Sequence, residues 1–179
     1  MKTAIVICGQ IGSGKSTVSN CVASRMSNKV VSFGKYIRQM AHLSDRPDSR
    51  KSLQDLGDGL YRQIGAVGLL EGALDVAAVN DEDSVVFDGV RHEEVLEEIR
   101  RRAGQTIAIY LTVGQEERFR RHRSRSSGDM TLEKFQAIDS HAVETGIVDL
   151  ANHCDVIVDA SQPLPSVLKD LLAEILLGQ

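Results

Sequence analysis

The chain has 179 residues, the length of one ordinary domain, and its 42% hydrophobic and 26% charged residues are those of a folded globular protein. Its net charge of −4, the absence of Trp and an aromatic content of only 4% argue against a nucleic-acid partner or a base-stacking surface. No apolar run approaches the ~20 residues of a membrane span, and Met1 to Cys8 is too short for a signal core, so a cytoplasmic protein with no membrane partner is expected.

Apolar runs of strand-like and helix-like period alternate along the chain, which predicts an α/β protein with a parallel sheet. Thr3 to Cys8 is a continuous apolar run, as a central strand buried on both faces requires. A helix follows from Lys15 to Met26, and Lys29 to Phe33 reads as a second strand. Leu53, Leu56, Leu60 and Ile64 recur at helical steps, as do Leu70, Leu74 and Ala77. Ser84 to Asp88 is a third strand, followed by a helix marked by Val95, Leu96 and Ile99 that Gly104 ends. Thr106 to Val113 and Asp155 to Val158 are the fourth and fifth strands. A last helix opens after Pro163 and Pro165, with Val167, Leu168, Leu171, Leu172 and Ile175 as its buried stripe. Cys8, Cys21 and Cys154 lie far apart with no C-x-x-C spacing, so we read them as small buried hydrophobes. Residues 1–179 form one domain, with two long connections at 34–83 and 114–154. In a parallel sheet such connections tend to carry function at the carboxyl ends of the strands.

Gly9, Gln10, Ile11, Gly12, Ser13, Gly14, Lys15 and Ser16 complete the pattern G-x-x-x-x-G-K-[ST] between a strand and a helix. Glycines let such a loop curl so that backbone N–H groups converge on phosphate oxygens, and the helix adds its positive end. This predicts ATP with Mg²⁺ as the bound nucleotide. Lys15 would reach the β- and γ-phosphates and the Ser16 hydroxyl would ligate the metal. A guanine-reading N-K-x-D is missing, because Asn28-Lys29 is followed by two valines and precedes the second strand.

Three further signals bear on the fate of the γ-phosphate. Strand three ends in Asp88-Gly89-Val90-Arg91, where Asp88 could hold Mg²⁺ or orient an acceptor and Arg91 could grip an acceptor phosphate. A turn or N-cap residue and a solvated surface charge are the alternatives. Arg118, Arg120, Arg121, Arg123 and Arg125 crowd into eight residues, with Arg118, Arg121 and Arg125 on one helical face. Such like charge costs repulsion unless an anion answers it, and phosphoryl transfer supplies one; a solvated basic helix is the alternative. After strand two, Ser32-Phe33-Gly34-Lys35-Tyr36-Ile37-Arg38 offers Lys35 and Arg38 to an acceptor phosphate, or simply begins a helix. Arg100, Arg101 and Arg102 lie at a helix C-terminus, where cations are favoured structurally.

With these residues in hand, the chain resembles the nucleoside monophosphate kinase group of P-loop kinases. The likeness rests on Gly9 to Thr17, on Asp88-Gly89-Val90-Arg91 and on the arginine-rich helix that begins Arg118-Phe119. Within that group it is similar to adenylate-kinase-related proteins and, more distantly, to phage-type deoxynucleoside monophosphate kinases. Phe135 to Asp139, Gly146-Ile147 and Asp155 to Val158 carry the first of these likenesses. The resemblance implies a P-loop NTPase three-layer α/β/α sandwich, with a five-stranded parallel sheet in the order 2-3-1-4-5. It implies Gly9 to Thr17 as the nucleotide site, residues 34–83 as the acceptor-binding insertion and residues 114–127 as a lid, with adenine near a lid arginine and the loop from Ala160 to Pro163. The expected activity is ATP-dependent transfer of the γ-phosphoryl group to a small phosphorylated acceptor, a nucleoside or deoxynucleoside monophosphate, as a small-molecule nucleotide substrate, with Lys15, Asp88, Arg118, Arg121 and Arg125 as catalytic groups. Arg38 and Arg91 would bind the acceptor, and Ser16 and Asp88 the metal. A regulatory ATPase and a kinase of a coenzyme precursor such as dephospho-coenzyme A are the alternatives. Two departures stand out: no Asp-x-Asp follows strand two as in dephospho-coenzyme A kinases, and the lid is short and lacks a zinc-binding form.

Overall fold

In the computed structural model, which describes residues 1–81, 83–125, 130–140 and 142–177, five strands form one parallel sheet in the order β2-β3-β1-β4-β5. They are β1 (Thr3–Cys8), β2 (Lys29–Ser32), β3 (Val85–Asp88), β4 (Gln105–Thr112) and β5 (Val156–Asp159). The helices are α1 (Lys15–Met26), α2 (Phe33–Leu43), α3 (Arg50–Val76), α4 (Glu93–Arg102), α5 (Gln115–Arg125), α6 (Leu132–Asp139), α7 (Ala142–Leu150) and α8 (Leu164–Leu177). The expected strand order and three-layer sandwich are therefore present.

Side-chain alternation along β1 builds the two halves of the core. Ala4, Val6 and Cys8 join Phe87, Leu70, Leu96 and Ile99 on the face covered by α3 and α4. Ile5 and Ile7 point the other way, into a cluster with Val18 and Val22 of α1 and Leu171 and Ile175 of α8. A strand buried on both faces has no polar side to show, which is why β1 reads as an unbroken apolar run.

Several expected boundaries move. Phe33 starts α2 rather than ending β2, because the Ser32 hydroxyl caps the helix by accepting from the Lys35 N–H at 3.3 Å. Pro165 lies inside the first turn of α8, where a proline costs no helical hydrogen bond. At Gly65 (φ 67°, ψ −174°) the backbone leaves helical geometry and kinks α3. The expected lid corresponds to α5, with its last two residues, Ser126 and Ser127, outside the described part of the chain.

The cysteines carry no disulfide, yet Cys8 and Cys154 are not independent as their separation suggested. Cys154 packs against the cluster that contains Cys8, and its proximity together with burial pushes the Cys8 thiol well up. The expected structural role of Arg100, Arg101 and Arg102 is met by ion pairs. Arg100 bonds Asp155 at 3.0 Å and the His153 carbonyl at 2.8 Å. Arg102 reaches Glu71 of α3 at 3.0 Å and also holds Glu98, which Arg101 grips at 2.7 Å.

Glu98 is 8% exposed, and the hydrogen bonds from Arg101, then Arg102, bring its carboxyl from an ordinary value of 4.5 to about 2. A carboxyl depressed by folding stabilises the native state above its unfolded value and loses that contribution as pH falls through the folded one. Thermal melts of the wild type should therefore weaken between pH 4.5 and 2 partly through Glu98. Glu98→Gln should lower the melting temperature at pH 7 and flatten its fall over that window; parallel curves would count against this account.

Candidate nucleotide and acceptor site

Parallel register places the functional segments along one edge of the sheet. Asp88 pairs with Ile7 on one side and with Ser32 on the other, so the loop after β1, the start of α2 and the end of β3 emerge together. In an open α/β sheet this carboxyl edge is where ligands bind.

The loop from Gly9 to Gly14 closes on itself through a hydrogen bond from the Ser13 N–H to the Gln10 carbonyl at 3.2 Å. The Lys15 ammonium donates to the same carbonyl at 3.1 Å. Gly14 caps α1 with no side-chain hydrogen bond, and the first turn holds no acidic residue. The positive end of α1 is thus left to a ligand anion. Gly12 adopts φ 81°, and a Cβ there would come within 2.5 Å of the Arg118 carbonyl oxygen. A side chain larger than hydrogen would force the loop and α5 apart.

A cavity of about 600 Å³ runs from this loop into the space between α2 and α3. Gly12, Gly14, Lys15 and Ser16 line it, together with Asp88, Arg91 and Arg38. Gly89, at φ 89°, makes the sharp turn after β3 that sends Arg91 and His92 to the cavity. Asp88 is 9% exposed, and its buried Oδ1 has no hydrogen-bond partner. An orphaned carboxylate oxygen is costly unless a cation or donor completes it. With the Ser16 hydroxyl lining the same cavity, that donor set suits a hard divalent cation.

The arginines of α5 divide into distinct roles. Arg118, expected among the phosphate-binding cations, is only 4% exposed. It forms a bidentate pair with Asp139 (2.5 and 2.9 Å), donates from Nε to the Val113 carbonyl at 3.2 Å and from Nη1 to the Ile11 carbonyl at 3.2 Å. Its guanidinium also lies 5.7 Å from the Phe135 ring centre. So committed, Arg118, expected as a catalytic cation, spends its donors on protein partners and ties α5 to Ile11 of the phosphate loop. Arg121 reaches the Ser13 and Ser161 carbonyls, both at 3.4 Å, and Arg125 reaches the Thr17 hydroxyl at 3.5 Å and lines the cavity. The repulsion expected within the cluster is answered from inside the chain: Glu117 binds Arg120 and Arg121, each at 2.7 Å, and those bonds hold its carboxyl at about 2.

Other cavity residues gave no sequence signal. Arg50, Gln54 and Asp58 of α3 line it, as does His92, whose ring stacks on Tyr61 at 3.8 Å and an interplanar angle of 3°. Burial lowers the His92 pKa, opposed by the charges of Asp58 and Glu94 and reinforced by that of Arg91. A repeat of polar residues every four positions looks like a solvated helix face, which is why it stayed hidden.

Removing the Asp139 charge would strand the buried Arg118 guanidinium. Asp139→Asn should destabilise the fold by about 3 kcal/mol, lowering the melting temperature by ~10 °C. A melt within 2 °C of the wild type, as a rough limit, would show that the pair is not needed.

Comparison with known proteins bears on the fold and the family. A UPF0200 protein of Pyrobaculum aerophilum is 27% identical over 161 residues, covering 88% of this chain and 87% of the relative. One from Saccharolobus solfataricus is 26% identical over 163 residues, covering 86% and 82%. Among solved structures, a gluconokinase from Sinorhizobium meliloti superposes with a TM-score of 0.63 at 18% identity, over 96% of this chain and 90% of that one. A shikimate kinase from Aquifex aeolicus gives 0.61 at 17%, over 96% and 95%, and a deoxyadenosine kinase from M. mycoides with bound dATP gives 0.55 at 14%, over 96% and 98%. At such identities the likeness is one of fold, that of the P-loop kinases. The family model described as an AAA domain matches residues 5–144, most of the sequence, and on that match the chain belongs to the AAA domain family.

Proposed function

We propose that the protein is an ATP-dependent phosphotransferase that moves the γ-phosphoryl group to a small phosphorylated acceptor, a nucleoside or deoxynucleoside monophosphate. The observation that carries this reading is that Arg38 and Arg91 line the same cavity as the phosphate loop. A site built only to hold and hydrolyse a triphosphate has less use for those further cations.

The loop amides, the α1 terminus and Lys15 would bind the β- and γ-phosphates. Ser16 and Asp88 would hold Mg²⁺, which supplies charge neutralisation at the phosphate oxygens when bound. Arg121 and Arg125 face the loop from α5 and would meet charge on the transferring group, while Arg118 keeps α5 against Ile11. Arg38 and Arg91 would seat the acceptor phosphate. Positioning and electrostatics carry such a transfer, and a phosphate acceptor needs no strong general base. A hydroxyl acceptor such as dephospho-coenzyme A would instead use Asp88 as the base.

A second reading, ATP hydrolysis that controls a partner protein, draws on the AAA domain membership. One assay separates the two. ADP formation from ATP·Mg²⁺ is followed with ribo- and deoxynucleoside monophosphates and with dephospho-coenzyme A. Acceptor-dependent ADP and a phosphorylated product are expected, and Lys15→Ala should cut turnover by about 10²-fold or more without loss of fold. Slow hydrolysis indifferent to every acceptor would favour the regulatory reading, and near-normal turnover of Lys15→Ala would overturn both.

A further inference from the structure

The acceptor end of the cavity contains a polar stripe that phosphate chemistry does not use. Arg50, Gln54 and Asp58 lie four residues apart on α3, on one face of the helix, and all three line the cavity. Gln54 is 6% exposed, a buried polar side chain on the cavity wall. Between and opposite them the wall is apolar, with Ile37, Leu53, Leu69, Val90 and Val95. Gly57 adds no side chain, and a Cβ there would stand in ordinary contact with Ile37 Cδ1 at 3.8 Å.

The charge of Asp58 is out of place in a chamber for an anion. Lys35, Arg38, Arg50, Arg91 and Arg125 line the same cavity, and among the described lining residues the only other acid is Asp88. A carboxylate repels a phosphate, so Asp58 is suited to another part of the acceptor. Ionised, it accepts hydrogen bonds and donates none, whereas the Gln54 carboxamide one turn away does both. His92 lines this end as well, and its imidazole is held flat against Tyr61. A cavity with apolar lining, a fixed ring, an acceptor-only group and an amide suits a flat heteroaromatic ring that presents an N–H₂ group at its edge.

We propose that Gln54 and Asp58 select the acceptor by its base, taking nucleoside monophosphates whose base carries an exocyclic amine and rejecting those with a carbonyl in that place. This rests on the phosphotransferase reading. An amine donates to the Asp58 carboxylate, while a carbonyl oxygen in that place would confront it acceptor to acceptor. Discrimination of about 10-fold or more is expected from one such charge-assisted bond.

The test compares kcat/KM for AMP, GMP, CMP, UMP and dTMP in the wild type, Asp58→Asn and Asp58→Glu. Binding of each monophosphate is measured beside it, with the loop filled by a non-hydrolysable ATP analogue. The wild type should favour one or more amine-bearing bases over UMP and dTMP. Asp58→Asn should reduce kcat/KM for those bases by about 10-fold and leave UMP and dTMP unchanged or improved, while affinity for the ATP analogue holds. Asp58→Glu, which keeps the carboxylate, should keep the order of preference. Equal losses for all five acceptors, or a wild type that prefers UMP or dTMP, would overturn base selection while leaving phosphotransfer standing. ADP formation with none of them would overturn the nucleotide-acceptor reading itself, and base selection with it.

Discussion

The site depends on the register of three adjacent parallel strands. Ser32, Asp88 and Ile7 stand level across β2, β3 and β1, so three unrelated loops leave the sheet at one height. A slip of one residue in β3 would turn Asp88 to the opposite face and move Phe87 from the cluster under α3 and α4 into the one under α1 and α8. Register is held from both sides of the sheet, because β1 sends Ala4, Val6 and Cys8 into one cluster and Ile5 and Ile7 into the other. Core packing and site geometry are therefore one constraint. Asp88 can remain a nearly buried carboxylate with an unpartnered oxygen because the apolar strands around it leave it no alternative position.

The parts legible in the sequence are those whose physics is local. A phosphate loop needs particular residues at fixed spacing, and Gly9 to Ser16 supply them within eight positions. The unbroken apolar runs of β1 and β4 report burial on both faces, and Asp88 to Arg91 follow directly from a strand end. Strand boundaries erred by a single residue where a cap decided them, as with Ser32 and Phe33. What stayed hidden depends on distant partners. Nothing in the run from Arg118 to Arg125 says that the first arginine meets Asp139, or that the Ile11 carbonyl waits for it across the fold. The contact between Cys8 and Cys154 and the placement of Arg50, Gln54 and Asp58 on a cavity wall are likewise products of tertiary assembly.

Hydrogen-bond geometry gives a physical ground for sorting the α5 arginines. Arg118 has protein partners on Nε, Nη1 and Nη2, at distances from 2.5 to 3.2 Å, and almost no exposure. Withdrawing it towards a ligand would break a desolvated ion pair and orphan two carbonyl oxygens, a cost that a phosphate contact would not recover. Arg121 keeps one strong bond, to Glu117 at 2.7 Å, while its contacts with Ser13 and Ser161 stretch to 3.4 Å, and the contact of Arg125 with Thr17 stretches to 3.5 Å. Bonds at that length are near the limit of the interaction and cost little to exchange for anionic oxygens. The helix is thus anchored at one turn by a cation that cannot leave and presents, one and two turns later, cations that can. The anchor keeps the helix beside the phosphate loop, so that Arg121 and Arg125 have only to exchange long contacts, with no movement of the backbone.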